Sequence, residues 1–144
     1  MAPSGMRPLA FVGFFCLIGG VVLAGCGSKP VAGVVPPQDE EGRYVISMTS
    51  DLKFDPAVAE VPVGATVVWR NVSDTIVHDV AGYEGDPIKE DVEAFSSYRQ
   101  PPEGLGRPIA PGESFNHTFE AGGDWTVWCH THHEQGMKGV VRVG

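Results

Sequence analysis

Apolar and polar residues alternate along this chain in short runs that end at glycine, proline, asparagine or aspartate. Tyr44–Met48, Val58–Val63, Thr66–Asn71, Ile76–Val80, Ser114–Phe119, Asp124–Cys129 and Gly139–Val143 all read this way, or as β-branched and aromatic runs between turn residues. Period-two alternation puts successive side chains on opposite faces of a strand. A 3.6-residue period is nearly absent. Seven short strands with a turn between each pair predict an all-β, two-sheet β-sandwich. Phe115, Phe119, Trp125 and Trp128 are expected in its core, although alternation turns Trp128 away from its neighbour Cys129.

Two regions break the pattern. Residues 83–109 carry Asp86-Pro87, Pro101-Pro102, Gly104, Gly106 and Pro108 without alternation, and predict one long irregular loop excursion. Within it, Ile88–Phe95 has the composition of one or two helical turns. At the front, Arg7 precedes an apolar stretch from Leu9 to Leu23, too short and glycine-rich for a spanning helix. This predicts a signal peptide over residues 1–25. Leu23-Ala24-Gly25-Cys26 resembles the lipobox of bacterial lipoproteins, in which the cysteine after the cut carries lipid. An ordinary secretory signal and an uncleaved anchor are the alternatives. All three put the folded part outside the cytoplasmic membrane. Residues 26–41, rich in Gly, Pro, Val and acid, are expected to be the lipidated Cys26 and a flexible tether. Residues 42–144 are expected to form a single domain.

Charge narrows the partners. All 18 acidic residues follow Cys26, against nine of the ten basic ones, so the mature chain is near −9. That argues against nucleic acid and anionic lipid, and for basic redox partners or simple solubility.

The chemistry concentrates at Cys129-His130-Thr131-His132-His133-Glu134-Gln135-Gly136-Met137. After signal removal and lipidation of Cys26, Cys129 is the last thiol, an odd arrangement in an oxidising compartment unless a metal holds it as thiolate. Cys129, His132 and Met137, joined by His78 from a distant strand, make two imidazoles, one thiolate and one weak thioether. That set is diagnostic of a mononuclear blue-copper electron-transfer site, one copper per chain cycling between Cu(II) and Cu(I). Zinc would favour four strong ligands.

Met48, Phe54-x-Pro56, Val61-x-Val63-Gly64, Thr66-Val67-x-Trp69-x-Asn71, His78-Asp79-Val80, Ala110-Pro111-Gly112-Glu113 and the Cys–His–Met loop ending in Gly139-Val140-Val141 occur together and in order. In these residues the chain resembles the cupredoxins, most nearly the plastocyanin, pseudoazurin and auracyanin group. The resemblance implies a Greek-key sandwich with copper at one end. It implies that Asp79, where many relatives have Asn, ties the two ligand loops together, with Asn71 and Thr131 bridging backbone groups nearby. It makes the edge of His132 the electron port, with Ile76, Pro111 and Met137 as candidate rim. Gly136 and Gly139 are expected to give the ligand loop backbone freedom.

The function this implies is a membrane-tethered one-electron carrier, not an enzyme. Its partners would be a cytochrome or quinol-oxidising complex on one side and a terminal oxidase, reductase or reaction centre on the other. It would be an extracytoplasmic, lipid-anchored monomer on a bacterial membrane. Copper delivery or resistance is the alternative. A small oxidase or reductase with a second copper at His130 is another, since a His beside the copper Cys leads to a second copper in some copper enzymes. A binuclear purple centre needs a second Cys where His133 stands. His117 is expected at the surface or half-buried, and His133 in solvent. A through-protein electron route via Trp128 is a further option.

Overall fold

The computed structural model describes residues 31–87 and 92–144. The expected signal peptide, Cys26 and the first half of the helical turns expected from Ile88 lie outside the described residues. Nine strands follow in order: β1 Tyr44–Met48, β2 Phe54–Asp55, β3 Val58–Val61, β4 Thr66–Asn71, β5 Ala81–Glu84, β6 Phe95–Ser96, β7 Ser114–Thr118, β8 Gly123–Trp128 and β9 Lys138–Val143. One sheet has the order β2-β1-β4-β7 and the other β3-β9-β8-β5-β6. The pairs β1–β4 and β3–β9 are parallel and the rest antiparallel, so the chain crosses repeatedly between the sheets. This is the two-sheet sandwich the alternation predicts.

The run Thr66-Val-Val-Trp-Arg-Asn is β-branched and aromatic, and takes an interior position in the first sheet. Its register aligns Ile46, Trp69 and Phe115 in one row across three strands. Trp69 is wholly buried, with ring centroids 5.7 Å from Phe95, 6.0 Å from Phe115 and 6.3 Å from Phe119. Truncating such an aromatic typically costs about 3–5 kcal/mol. From the second sheet, Val127 and Val141 close the core, with Trp125 packed at its margin.

Three expectations are corrected. Ile76–Val80 is not a strand; only His78 pairs, in a single bridge to Ile109. The next backbone N–H groups go elsewhere, that of Asp79 to the Cys129 sulfur and that of Val80 to the Ser97 hydroxyl, so no ladder can propagate. Residues 34–41, expected to belong to a flexible tether, are partly fixed to the sandwich. Val34 bridges Ala59 along the outer edge of β3, donating to Val58 and accepting from Glu60, and Val45 donates to Pro37. Trp128 is only partly buried; it lies on the outer face of its sheet, its ring 4.9 Å from Tyr83.

The excursion at 83–109 is anchored in the sandwich. Phe95 of β6 enters the core, stacked on His117 at 4.0 Å between centroids. The chain then passes Ser97, whose N–H donates to the Val80 carbonyl and whose carbonyl accepts from the Leu105 N–H.

Candidate metal centre

The site lies where β8 ends and the chain turns back into β9. Cys129, one residue past β8, donates its N–H to the Met137 carbonyl at 3.1 Å, while Met137 donates to His132 at 3.2 Å. These bonds close the loop into a ring that returns Met137 beside Cys129. A 3₁₀ turn, His133–Gln135, fills the loop. It ends at Gly136, whose φ of +91° is a left-handed value that a side chain would resist. Gly139 serves differently: a Cβ there would meet the Ala57 carbonyl at 2.8 Å.

His78 is held opposite by its two bonds to Ile109, donating at 3.1 Å and accepting at 2.7 Å. Its Nδ1 lies 4.0 Å from the Cys129 sulfur, and His132 Nδ1 lies 3.5 Å from it. The three donor atoms fall within 4.8 Å of one another, and among the described residues they are the one such group of His, Cys, Asp or Glu. His78, Cys129 and Met137 are wholly buried, and His132 is half-buried. Met137 is therefore no rim residue. Pro111 and Val77 are exposed at that end, and Ile76 is half-exposed.

Asp79 is fully buried rather than a solvated strand-end acid. One carboxylate oxygen accepts the His130 N–H at 2.7 Å; the other accepts the Thr131 N–H at 3.0 Å and its hydroxyl at 2.6 Å. Asn71 spans the adjoining turn, donating to the carbonyls of Ile76 at 2.8 Å and Ile109 at 2.9 Å. Its own carbonyl accepts from the Ser73 N–H and hydroxyl. Asn71 and Asp79 thus fasten three segments that share no regular ladder.

Burial pushes the Cys129 thiol up to about 12, against the Asp79 N–H that favours thiolate. Burial, then the neighbouring His132, holds His78 below the ordinary imidazole range. The Thr49 carbonyl favours the charged ring, yet His78 Nε2 is buried with no hydrogen-bond partner. Two imidazoles aimed at a buried sulfur, with burial disfavouring both the free thiolate and the charged His78 ring, fit a soft cation that would hold the sulfur as thiolate.

Over residues 43–144 the sequence matches the copper binding proteins of the plastocyanin/azurin family. The chain belongs to that family. It is 37% identical over 106 residues to halocyanin of Natronomonas pharaonis, a match covering 74% of this chain and 57% of that one. It is 32% identical over 92 residues to chloroplastic plastocyanin of Fritillaria agrestis, covering 64% and 52%. The chain thus spans a little over half the length of these two relatives. Its fold is similar to that of dithionite-reduced auracyanin from the photosynthetic bacterium Roseiflexus castenholzii, with a TM-score of 0.52 and 22% identity over 69% of this chain and 94% of that one. For a cupredoxin, the cluster of His78, Cys129 and His132 is consistent with one copper per chain.

The remaining histidines have other surroundings. His117 is half-buried against Phe95, and burial lowers its pKa. His133 is exposed, its ring stacked on Trp128 at 5.5 Å. His130 Nε2 sits 2.7 Å from the Tyr83 hydroxyl. Sequence reasoning missed Tyr83 and Ser97. Ser97 gave no signal; for Tyr83 the only hint was a histidine directly after the cysteine.

Proposed function

We propose that this cupredoxin is a blue-copper one-electron carrier in which His78, Cys129 and His132 would be the strong ligands and Met137 a weak one. The observation that carries the reading is the convergence of both Nδ1 atoms on the buried Cys129 sulfur. Copper bound there supplies a Cu(II)/Cu(I) couple. The chain's task is to keep its ligands still between the two states. The Asp79 carboxylate fixes the loop backbone at His130 and Thr131, and its N–H donates to the sulfur at 3.4 Å. Burial of His78, Cys129 and Met137 excludes water. His132, half-buried, offers its edge as the port.

The test is the visible and EPR spectrum after one equivalent of Cu(II). An intense thiolate-to-copper band with narrow hyperfine splitting, lost in Cys129→Ser, supports the reading. A pale protein with wide splitting refutes it.

The lipobox-like Leu23–Cys26 supports a lipid on Cys26, an extracytoplasmic domain and partners in or beside a membrane, with a cytochrome or quinol-oxidising donor and an oxidase, reductase or reaction-centre acceptor. Labelled palmitate incorporated into wild type but not Cys26→Ser would support the anchor. Label that persists in the variant would refute it.

A further inference from the structure

The ligand loop is fastened on its outward side as well as its inward side. Cys129 and His132 turn in; His130 and His133 turn out. The His130 ring lies between two elements, with Nε2 2.7 Å from the Tyr83 hydroxyl of β5 and Nδ1 3.7 Å from the Glu93 carboxylate of the excursion. A ring with its proton on Nδ1 suits both neighbours, since Nε2 then accepts from the tyrosine. Tyr83 is itself 5% exposed and packed against Trp128, so its hydroxyl is held in place. His133 continues this outer layer, stacked on Trp128 with 11° between ring planes and Nδ1 3.3 Å from the His130 carbonyl.

The loop needs such support because its middle has no apolar anchor. None of the residues His133–Gln135 is buried. Between Cys129 and Met137 no residue is fully buried; hydrogen bonds and the ring contacts of its histidines hold the loop, and the bonds to Asp79 act only at His130 and Thr131. We propose that Tyr83 and His130 are positioning residues that latch the ligand loop shut over Cys129. The benefit to a bound copper rests on the electron-carrier reading above; the latch itself belongs to the metal-free chain.

Cys129 is wholly buried, so its thiol meets solvent only when the loop opens. The test is iodoacetamide labelling of the metal-free full chain, read at the Cys129 peptide by mass spectrometry. A lost neutral hydrogen bond shifts an opening equilibrium about fivefold. Tyr83→Phe and His130→Ala should each speed labelling about fivefold. The double variant should be no faster than His130→Ala alone, because Tyr83→Phe acts through the bond that His130→Ala has already removed. His130→Gln, whose amide can still meet the tyrosine, should recover most of the protection. The urea midpoint is measured alongside. Unchanged rates, a double variant near 25-fold by multiplication of the two effects, or a rise fully matched by lost global stability would each overturn the latch. The Cu(II) spectrum of the wild type is scored separately. A blue wild type with unaltered labelling in the variants fails the latch alone, and protected labelling in a protein that never turns blue fails the copper reading alone.

Discussion

Gly82→Ala should damage this protein far more than adding one methyl suggests. Gly82 is buried in β5 and registers with Phe95 of β6. A Cβ at position 82 would lie 2.5 Å from Phe95 Cε2 and nearer still to Cζ and Cε1. The ring has little room to retreat. His117 stacks on it at 4.0 Å, Phe119 meets it edge-on at 5.5 Å, and Trp69 lies at 5.7 Å. The methyl therefore expels the phenyl ring from the core, and the loss approaches that of a Phe→Ala truncation, about 3–5 kcal/mol. For a domain of this size that lowers Tm by more than about 10 °C. The assay is urea and thermal unfolding by tryptophan fluorescence without copper, because a ligand bound to the native state masks the loss. The decisive comparison is Gly82→Ala in a Phe95→Ala background, where the methyl has space and the added cost should fall below about 1 kcal/mol. Equal costs in both backgrounds, or a loss under about 1 kcal/mol in the wild type, would refute the reasoning.

Asp79→Ala strands two backbone N–H groups and the Thr131 hydroxyl and should cost on the order of 3 kcal/mol in urea unfolding of the apo-protein; Asp79→Asn, which keeps one acceptor oxygen, should lose about half of that. Glu113 accepts from Arg107 and from the Ala110 N–H, and its carboxyl is held at about 2, below its ordinary 4.5. A depressed carboxyl stabilises the fold above its unfolded pKa and ceases to as pH falls through its folded pKa. The urea midpoints of wild type and Glu113→Gln should therefore differ at neutral pH and converge between pH 4.5 and about 2. Midpoints whose gap stays constant over that interval would count against this. A fragment beginning at residue 42 lacks the Val34 bridge and bares the edge of β3, so it should self-associate with rising concentration, while one beginning at residue 31 should not. Sedimentation of both fragments decides it.

The parts of this molecule that could be read from sequence are those where one local rule governs. Tyr44–Met48 and Thr66–Asn71 alternate or are β-rich, and both are strands with those bounds. The spacing of Cys129, His132 and Met137 needs only a tight loop to bring them together. Ile76–Val80 reads equally well as a strand, but four consecutive residues from His78 to Ala81 are buried and the N–H groups of Asp79 and Val80 are committed to a sulfur and a hydroxyl. No periodicity encodes that, because the partners lie 17 and 50 residues away. The excursion was opaque for the same reason. Its order comes from Phe95 entering a core built by other strands, and Tyr83 meets His130 only once β5 lies beside β8.

Val34 is fixed to β3, and this sets a length. Cys26 and Val34 are eight residues apart, so the chain between them reaches about 28 Å at most, against roughly 55 Å had it been free to Gly42. For a lipid on Cys26, halving the leash cuts the volume the domain can sweep about eightfold and raises its local concentration at any partner within reach by a similar factor. A carrier so anchored would exchange electrons with neighbours at the bilayer surface and would give up those farther out, so its choice of partner would be written partly in how soon its chain begins to fold.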